Sequence, residues 1–576
     1  MPGKHVENAH VARGTNAEAP FRLSIHRGEG MALLAMDWRT GKPPVDFVGF
    51  GIEYREPGGQ RFFALKNRLR FKDAPGGATG ATLSTLQAPI QKFRWVHFPR
   101  NADMKGAFTY RVTPIFMNAA NELSHGPAQE ASLELSSETH SGRMNVTFTR
   151  GFVSSQAFVD RYESKGPIKT LLPAKADDGL DFKPTHPKAK EALAWMGFEA
   201  RREILAALDA AIADRRAKVS VVAYDLSEPE VVGRLEKLGA RLRIVIDDDG
   251  PHGKPHSAET RAAERLARSA GAGNVKRQHL GKLQHNKTIV VDGPKAKLAI
   301  GGSTNFSWRG LYVQSNNAVI VRGARAIAPF QAAFEAYWTS DKAKDFGASP
   351  AATWTPLGLR GIDARVTFSP HSASNAALAD IADDVASTKS SLFFSLAFLY
   401  QTPGAIRNAI AAVSKKKSIF VYGVSDRKVG GLDVRKPDGT VSVVAPAALA
   451  GAGVPLPFRA EPTGGGGTRL HHKFLVIDFD KPTARVYFGS YNFSKAADDS
   501  NGENLFLVRD RRVATSYALE ALRIVDHYHF RAAQVDAKRR RKELFLAKPP
   551  RAAGETPWWE EDWRVPIKIR DRELFA

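Results

Sequence analysis

From about residue 20 to residue 150, apolar and polar positions alternate in short runs between turns rich in Gly, Pro and Asn. FRLSIHR, VDFVGFGIEYRE, FRWVHFP, FTYRVTPIFM and MNVTFTR are such runs, and period-two alternation predicts half-buried strands of an all-β module over 20–150. Residues 1–19 are expected to be disordered. The stretch 151–189 includes SKGPIKTLLPAKADDGLDFKPTHP, rich in Pro, Lys and Asp, and is expected to be a linker. Beyond it the period changes. Helical spacing in AKEALAWMGFEARREILAALDAAIADRRA precedes the strand KVSVVAYDL, the helix SEPEVVGRLEKLG and the strand RLRIVIDDD. The helix AETRAAERLARSAG, the strands HNKTIVVD, LAIGGSTNFS and NNAVIVRG, and the helix AIAPFQAAFEAYW follow. That alternation predicts an α/β lobe over 190–345.

The second half replays the first. NAALADIADDVAST, SSLFFSLAFLY, GAIRNAIAAVSKK and SIFVYGVSD alternate helix and strand, and HHKFLVID, RVYFGSYNFS and ENLFLVRD come next in the same order. The repeat predicts a second α/β lobe over 355–535 and an internal duplication. The tail, 536–576, carries the basic cluster KRRRK at 538–542 and the aromatic-acidic WWEED at 558–562, and a charge run of this kind is expected on a solvated face.

The chemistry sits in the duplication. HNKTIVVD (285–292) and HHKFLVID (471–478) share histidine, lysine and aspartate at one spacing, 471 − 285 = 186 residues apart. Residues i and i+2 of a strand point to one face, so each copy presents one histidine and one lysine together. Cleaving a phosphodiester without a metal takes a nucleophile, a proton donor for the leaving oxygen and positive charge around the phosphate oxygens. Two copies facing each other supply all three. Each is followed by Gly-Ser-x-Asn, GSTN from Gly302 to Asn305 and GSYN from Gly489 to Asn492. The glycine admits close backbone, and Ser303, Asn305, Ser490 and Asn492 carry hydrogen-bond donors for phosphate.

HxKxxxxD with GSxN, twice on a duplicated α/β scaffold, resembles the phospholipase D superfamily over the C-terminal two-thirds of the chain. The second block, HHKFLVID to GSYNFSKAADDSNGENL, looks most like its compact bacterial endonuclease branch. The resemblance implies a two-step reaction through a covalent phosphohistidine, with no metal and no cofactor. His285 and His471 would be nucleophile and general acid, and Lys287, Lys473, Asn305 and Asn492 would bind phosphate, with Ser303 and Ser490 beside them. Asp292 and Asp478 would be structural. Glu503 stands where the family keeps a carboxylate that orients a catalytic histidine, and the aligned residue of the first half is Asn316. Cross-lobe pairing as in two-lobed relatives would join Glu503 to His285, which favours His285 as nucleophile and leaves the partner of His471 open. In the β module, Tyr110 of FTYRVTP resembles the corner tyrosine of immunoglobulin-like and fibronectin type III sandwiches, with Trp95 a candidate core aromatic.

Composition narrows the substrate. Lys plus Arg number 83 against 60 Asp plus Glu, a net charge of +23, which suits a polyanion: nucleic acid first, a phospholipid or acidic membrane surface as the alternative. The other readings are a phospholipase or transphosphatidylase, and a non-catalytic binder. The β module could hold a protein partner. There is no cysteine, hence no disulfide scaffold, thiolate metal site or cysteine nucleophile. The N-terminus lacks the apolar core of a secretory signal and no run is long enough to span a bilayer, so a cytoplasmic location is expected. His252 and His256, beyond the acidic run at 247–249, are read as exposed loop residues rather than as a metal site.

Overall fold

The computed structural model describes residues 9–73, 82–151, 155–426, 429, 432, 470–539 and 544–576. Contacts divide the chain into two compact units, with boundaries after Ser137 and after Tyr528.

In the first unit a four-stranded sheet (Val11–Arg13, Phe21–Gly28, Met31–Trp38, Arg94–His97) shares a core with a five-stranded one built on Phe47–Arg55 and Ala107–Met117. Alternation explains the layering: in Gln129–Glu134 the buried residues are Gln129, Ala131 and Leu133. Phe21, Leu34, Phe50 and Tyr110 meet in the shared core, with Trp95 packed against it. The Tyr110 hydroxyl lies 3.1 Å from Nδ1 of His97, a side chain rather than the backbone that a corner tyrosine reaches. Val11–Arg13 pairs antiparallel with Phe21–Gly28, so the expected disorder of 1–19 does not hold there; residues 1–8 lie outside the described ones. The tail also belongs to this core. Trp558 stacks on Phe93 with centroids 5.2 Å apart and donates to the Phe47 carbonyl, Trp559 is buried, and Arg94 pairs with Asp571 at 2.7 Å. The WWEED aromatics therefore complete an apolar core rather than a solvated face. Residues 540–542 of the basic cluster lie outside the described residues, as do the side chains of Lys538 and Arg539.

The second unit holds two seven-stranded sheets in which six strands follow the same order, from Met144–Phe148 in the first and from Asp363–Ser369 in the second. The first runs Met144–Phe148, Asn317–Arg322, Lys297–Gly302, Thr288–Asp292, Lys218–Ala223, Leu242–Ile246, Val275–Arg277. The second runs Thr355–Pro356, Asp363–Ser369, Glu503–Arg509, Arg485–Gly489, Lys473–Ile477, Ser391–Leu396, Phe420–Val424. Strands such as Lys473–Ile477 are buried throughout, which is why they read as unbroken apolar runs.

Two expectations about boundaries are corrected. MNVTFTR does not belong to the β module: Met144–Phe148 pairs antiparallel with Asn317–Arg322, as Asp363–Ser369 pairs with Glu503–Arg509 in the other lobe. Each lobe thus opens with a strand that seats against its last one, and the duplication begins before residue 150. Nor is 151–189 a free linker: it forms the helix Ser155–Tyr162 and short 3-10 turns, and buries Tyr162, Ile168, Leu171 and Leu180.

The lobes are joined at the ends of the motif strands. Asn504 Nδ2 donates to Asn286 Oδ1 at 2.7 Å, and the Gly302 amide donates to Asn504 Oδ1 at 2.9 Å. The backbone amides of Gly502 and His471 donate to the carbonyls of Leu283 and Ser315.

Candidate active site

Each histidine of the pair lies just ahead of a central strand, at its junction with the opposite lobe, and the two imidazoles face each other with centroids 6.2 Å apart. Lys287 and Lys473 are buried beside them, and each ammonium donates to the carbonyl of its own motif histidine. Tyr224 and Phe398, each following the neighbouring strand, frame the site alike. Lys287 Nζ lies 4.6 Å from the Tyr224 ring centre and Lys473 Nζ 5.4 Å from that of Phe398, while the rings stand edge to His285 and His471.

The partners of the two imidazoles differ. Nδ1 of His285 lies 2.9 and 2.8 Å from Oε1 and Oε2 of Glu503, from the other lobe and fully buried. Nδ1 of His471 lies 2.9 Å from Oδ1 of Asn316, again from the other lobe. The Asn316 amide orientation is fixed because its Nδ2 donates to the Gly310 carbonyl. Its oxygen therefore faces His471, Nδ1 carries the proton, and Nε2 is left for proton transfer. The sequence left the partner of His471 open; the structure supplies an amide at the place where the other lobe has a carboxylate.

Behind each partner stands the serine of GSxN. Ser490 Oγ donates to Glu503 Oε2 at 2.6 Å and Ser303 Oγ donates to Asn316 Oδ1 at 2.9 Å, and each serine oxygen also accepts the backbone amide of the residue after that partner. Both serines are buried with their one proton spent here, which corrects the expectation that they bind phosphate. The motif glycines make this approach possible. Gly302 has φ +123, and a Cβ there would lie 2.6 Å from the Asn317 carbonyl oxygen; at Gly489 it would lie 2.1 Å from that of Asn504.

Asn305 lies beside this cluster, and its Nδ2 donates to Asp225 Oδ2 at 2.7 Å. Among the described residues, Asn305 Oδ1 and Asn492 Oδ1 are buried without a hydrogen-bond partner. The motif aspartates lie at the far ends of their strands. Asp292 pairs with Lys297 and accepts from Gln331, and Asp478 accepts the amides of Lys389 and Ser390, so both tie backbone and neighbouring side chains.

Electrostatics follow from burying four basic groups together. Burial, then the two lysines, holds His285 well below its ordinary value, and burial, then Lys473 and Lys287, does the same to His471. Burial brings Lys287 down to about 8, and burial with repulsion from Lys287 holds Lys473 well below its ordinary range. Burial pushes Glu503 up to about 8, against the lysines, which favour its ionised form. A bound anion would relieve these cations, so the site is suited to a phosphate.

His252 is not the exposed loop residue expected from its position. Its Nε2 is 3.1 Å from Asp225 Oδ1 and its Nδ1 is 2.7 Å from Asp247 Oδ2, while His256 is exposed. Asp225, His252 and Glu259 present ligand-type atoms within 4.8 Å of one another. Tyr224, Phe398 and Asp225 were missed in the sequence, although VVAYDL and SLAFLY each place an aromatic residue next after the strand and its alanine in both repeats. No described helix is long and apolar enough to cross a membrane.

Parts of the chain are similar to known proteins. A family model described as the cardiolipin synthase, PLD-like domain matches residues 197–338 and again 384–524. A phospholipase D of Rickettsia felis is 45% identical over 47 residues, covering 8% of this chain and 22% of its own. A mitochondrial cardiolipin hydrolase of Chlamydomonas reinhardtii is 27% identical over 109 residues, covering 19% and 44%. The chain thus spans less than half the length of these curated relatives. Among solved structures, the phosphatidylserine synthase of Haemophilus influenzae overlays with a TM-score of 0.41 at 12% identity, over 60% of this chain and 92% of its own. With the family model matched once in each lobe, around both histidine–lysine pairs, the chain belongs to the phospholipase D superfamily.

Proposed function

We propose that the chain is a phosphodiesterase that works through a covalent phosphohistidine without a metal, and that its substrate is a nucleic acid. The observation that carries the chemistry is the facing pair of buried imidazoles, one backed by a carboxylate and the other by an amide. In the first step His285 Nε2 attacks phosphorus while Glu503 takes up the positive charge that develops on the ring. The bond from phosphorus to the leaving oxygen breaks, and His471, which takes up a second proton at Nε2 as the phosphate anion binds beside it, gives that proton to the leaving oxygen. In the second step His471 removes a proton from water, the resulting hydroxide attacks the phosphohistidine, and the P–N bond breaks to free His285. Lys287, Lys473, Asn305 and Asn492 hold the phosphate oxygens throughout.

The substrate assignment rests on charge. An excess of 23 positive groups favours a long polyanion, whose affinity falls steeply with salt as bound counterions are released. A specific observation favours a second reading, cleavage or exchange of phospholipid head groups: the matched family model and the curated relatives carry lipid-directed names. The first unit, with its tail, is assigned an accessory role as an immunoglobulin-like module that binds a partner. The deciding experiment offers purified protein labelled single- and double-stranded DNA, RNA and phosphatidylcholine, with a chelator present. Cleavage of nucleic acid that weakens with added salt is expected. Turnover of phosphatidylcholine with no binding of DNA or RNA at low salt would replace the nuclease reading with the lipid one. Loss of all turnover on chelation, restored by a divalent ion, would remove the metal-free mechanism.

A further inference from the structure

Asn305 is the phosphate-site residue whose setting can be traced outward. Its Nδ2 donates to Asp225 Oδ2 at 2.7 Å while its own Oδ1 is buried without a partner among the described residues, so the carboxylate fixes which way the amide faces. One Nδ2 proton is committed to Asp225 and the other remains for substrate. Asp225 is held in turn, for its Oδ1 lies 3.1 Å from His252 Nε2. His252 Nδ1 lies 2.7 Å from Asp247 Oδ2, and Asp247 is fully buried. The other oxygen of Asp247 accepts the Gln284 amide at 2.6 Å, the backbone group immediately ahead of His285. The His252 ring also stands edge to Tyr224, 4.6 Å between centroids, and Tyr224 stands against His285 at 4.7 Å. The inner anchor has a twin in the second lobe, where Asp426 Oδ1 accepts the Leu470 amide ahead of His471. In the first lobe that anchor extends through His252 and Asp225 to a phosphate-site amide.

We propose that Asp247, His252 and Asp225 form a positioning chain that fixes the Asn305 amide relative to His285, so that the phosphate is received in line with the nucleophile. The proposal rests on the phosphodiesterase reading above. Asp225 and His252 are positioning residues: they act through Asn305 and touch no reacting atom. A carboxylate so close to an anion site would repel phosphate if unpaired, and His252 with Asn305 occupies both of its oxygens.

A double-mutant cycle tests this. The variants Asp225→Asn and His252→Phe are made in the wild-type chain and in Asn305→Ala. The readouts are the Kd of inorganic phosphate by calorimetry and the KM and kcat for bis(p-nitrophenyl) phosphate, with thermal unfolding to verify the fold. In the wild-type background each variant should raise Kd and KM by about tenfold, the size of one charge-assisted hydrogen bond, and change kcat less than about threefold. In the Asn305→Ala background neither should add anything, because the group they act through is gone. Losses that add in full across the two backgrounds would mean a merely structural role and overturn the proposal. A fall in kcat with KM unmoved would overturn it in favour of a direct part in the chemistry. An effect of chelator equal to that of Asp225→Asn, reversed by Mn2+ or Zn2+, would mean that Asp225, His252 and Glu259 hold an ion, and would also overturn it. If the phosphate cycle is non-additive while the wild type cleaves neither nucleic acid nor phospholipid, the functional reading fails and the positioning chain stands.

Discussion

Replacing Glu503 by Gln asks what the carboxylate behind His285 contributes, because the opposite lobe already contains the answer in amide form. In the wild type Oε2 accepts from both His285 Nδ1 and Ser490 Oγ, at 2.8 and 2.6 Å. In the other lobe Asn316 Oδ1 does the same for His471 and Ser303, both at 2.9 Å. Above about pH 8, where Glu503 is ionised, a glutamine oxygen in the place of Oε2 therefore preserves the tautomer of His285 and removes only the charge. A hydrogen bond to a charged group is worth about 1.5–3 kcal/mol and the neutral one that replaces it about 0.5–1.5, a difference of about 1–1.5 kcal/mol, and the imidazolium forms only as the P–N bond forms, so the loss falls on the transition state. Phosphoenzyme formation should slow by roughly 5- to 13-fold. Quenched-flow trapping with a labelled aryl phosphodiester measures that step directly. A loss near 10⁴-fold would report a reversed tautomer instead, as when the orienting carboxylate of a serine protease becomes an amide. A burst within about threefold of wild type, or label on His471 in the wild type, would refute the assignment of His285 as nucleophile.

The same variant carries a stability signature. Burial raises Glu503 from 4.5 to about 8, and a raised pKa gives stability that is intact below the unfolded value and lost as pH rises through the folded one. Wild type should lose denaturant resistance as pH rises from about 4.5 through 8, and Glu503→Gln should lose less. Equal slopes for the two proteins would mean that Glu503 is already ionised in the resting site.

Three further outcomes are expected. His471→Ala should still form phosphoenzyme on a substrate with a p-nitrophenolate leaving group and then accumulate it, since the missing group is needed to activate water; acid-quench labelling that finds no covalent species would remove His471 as the acid. Binding of sulfate should take up protons near neutral pH, because the anion favours the charged forms of His471 and the two lysines, which burial holds down; calorimetry giving one binding heat in buffers of different ionisation enthalpy would contradict this. The double change Glu503→Gln with Asn316→Asp moves the carboxylate to the other lobe, and peptide mapping should then find the covalent phosphate on His471; label that stays on His285 would show that something other than the carboxylate chooses the nucleophile.

The chemistry was legible in the sequence where it depends on spacing. The period of two predicts His285 with Lys287 and His471 with Lys473 on one face of extended chain, at or just ahead of the strands Thr288–Asp292 and Lys473–Ile477, and the repeat of element order implies that the pairs meet. Glu503 was legible through the family resemblance, in which a carboxylate stands at that place after GSxN, while the first repeat has Asn316 there. What could not be read depends on packing between segments distant in sequence. Met144–Phe148 alternates like its neighbours in the β module, and local pattern does not say which sheet edge receives it; the edge of the first lobe does, through pairing with Asn317–Arg322. Trp558 and Trp559 read as a solvated aromatic-acidic stretch because their cover, Phe47 and Phe93, lies far away in the chain. Ser303 and Ser490 were placed at phosphate because a hydroxyl near a phosphate site is a plausible ligand, yet the sequence does not say that each proton is already claimed by Asn316 or Glu503. His252 was read from an acidic, Gly- and Pro-flanked loop, and only the fold brings Asp225 to its other nitrogen.

The mismatch between Glu503 and Asn316 has a physical logic that a symmetric duplication would lack. A nucleophilic imidazole gains positive charge as it bonds to phosphorus, so a fixed negative partner stabilises what develops. A general acid must release its proton to the leaving oxygen, and a carboxylate at Nδ1 would raise the pKa of the ring and hold that proton back. An amide oxygen fixes the tautomer and the ring plane without that penalty. The Asn316 Nδ2 bond to the Gly310 carbonyl is what keeps the amide from turning over and presenting a donor to His471. Gly310 itself fits only because it lacks a side chain: a Cβ there would lie 2.3 Å from the Asn305 carbonyl oxygen. The backbone that supports Asn316, and through it His471, in one direction therefore packs against Asn305 in the other, so the seat of His471 and the seat of Asn305 are set by the same turn of chain.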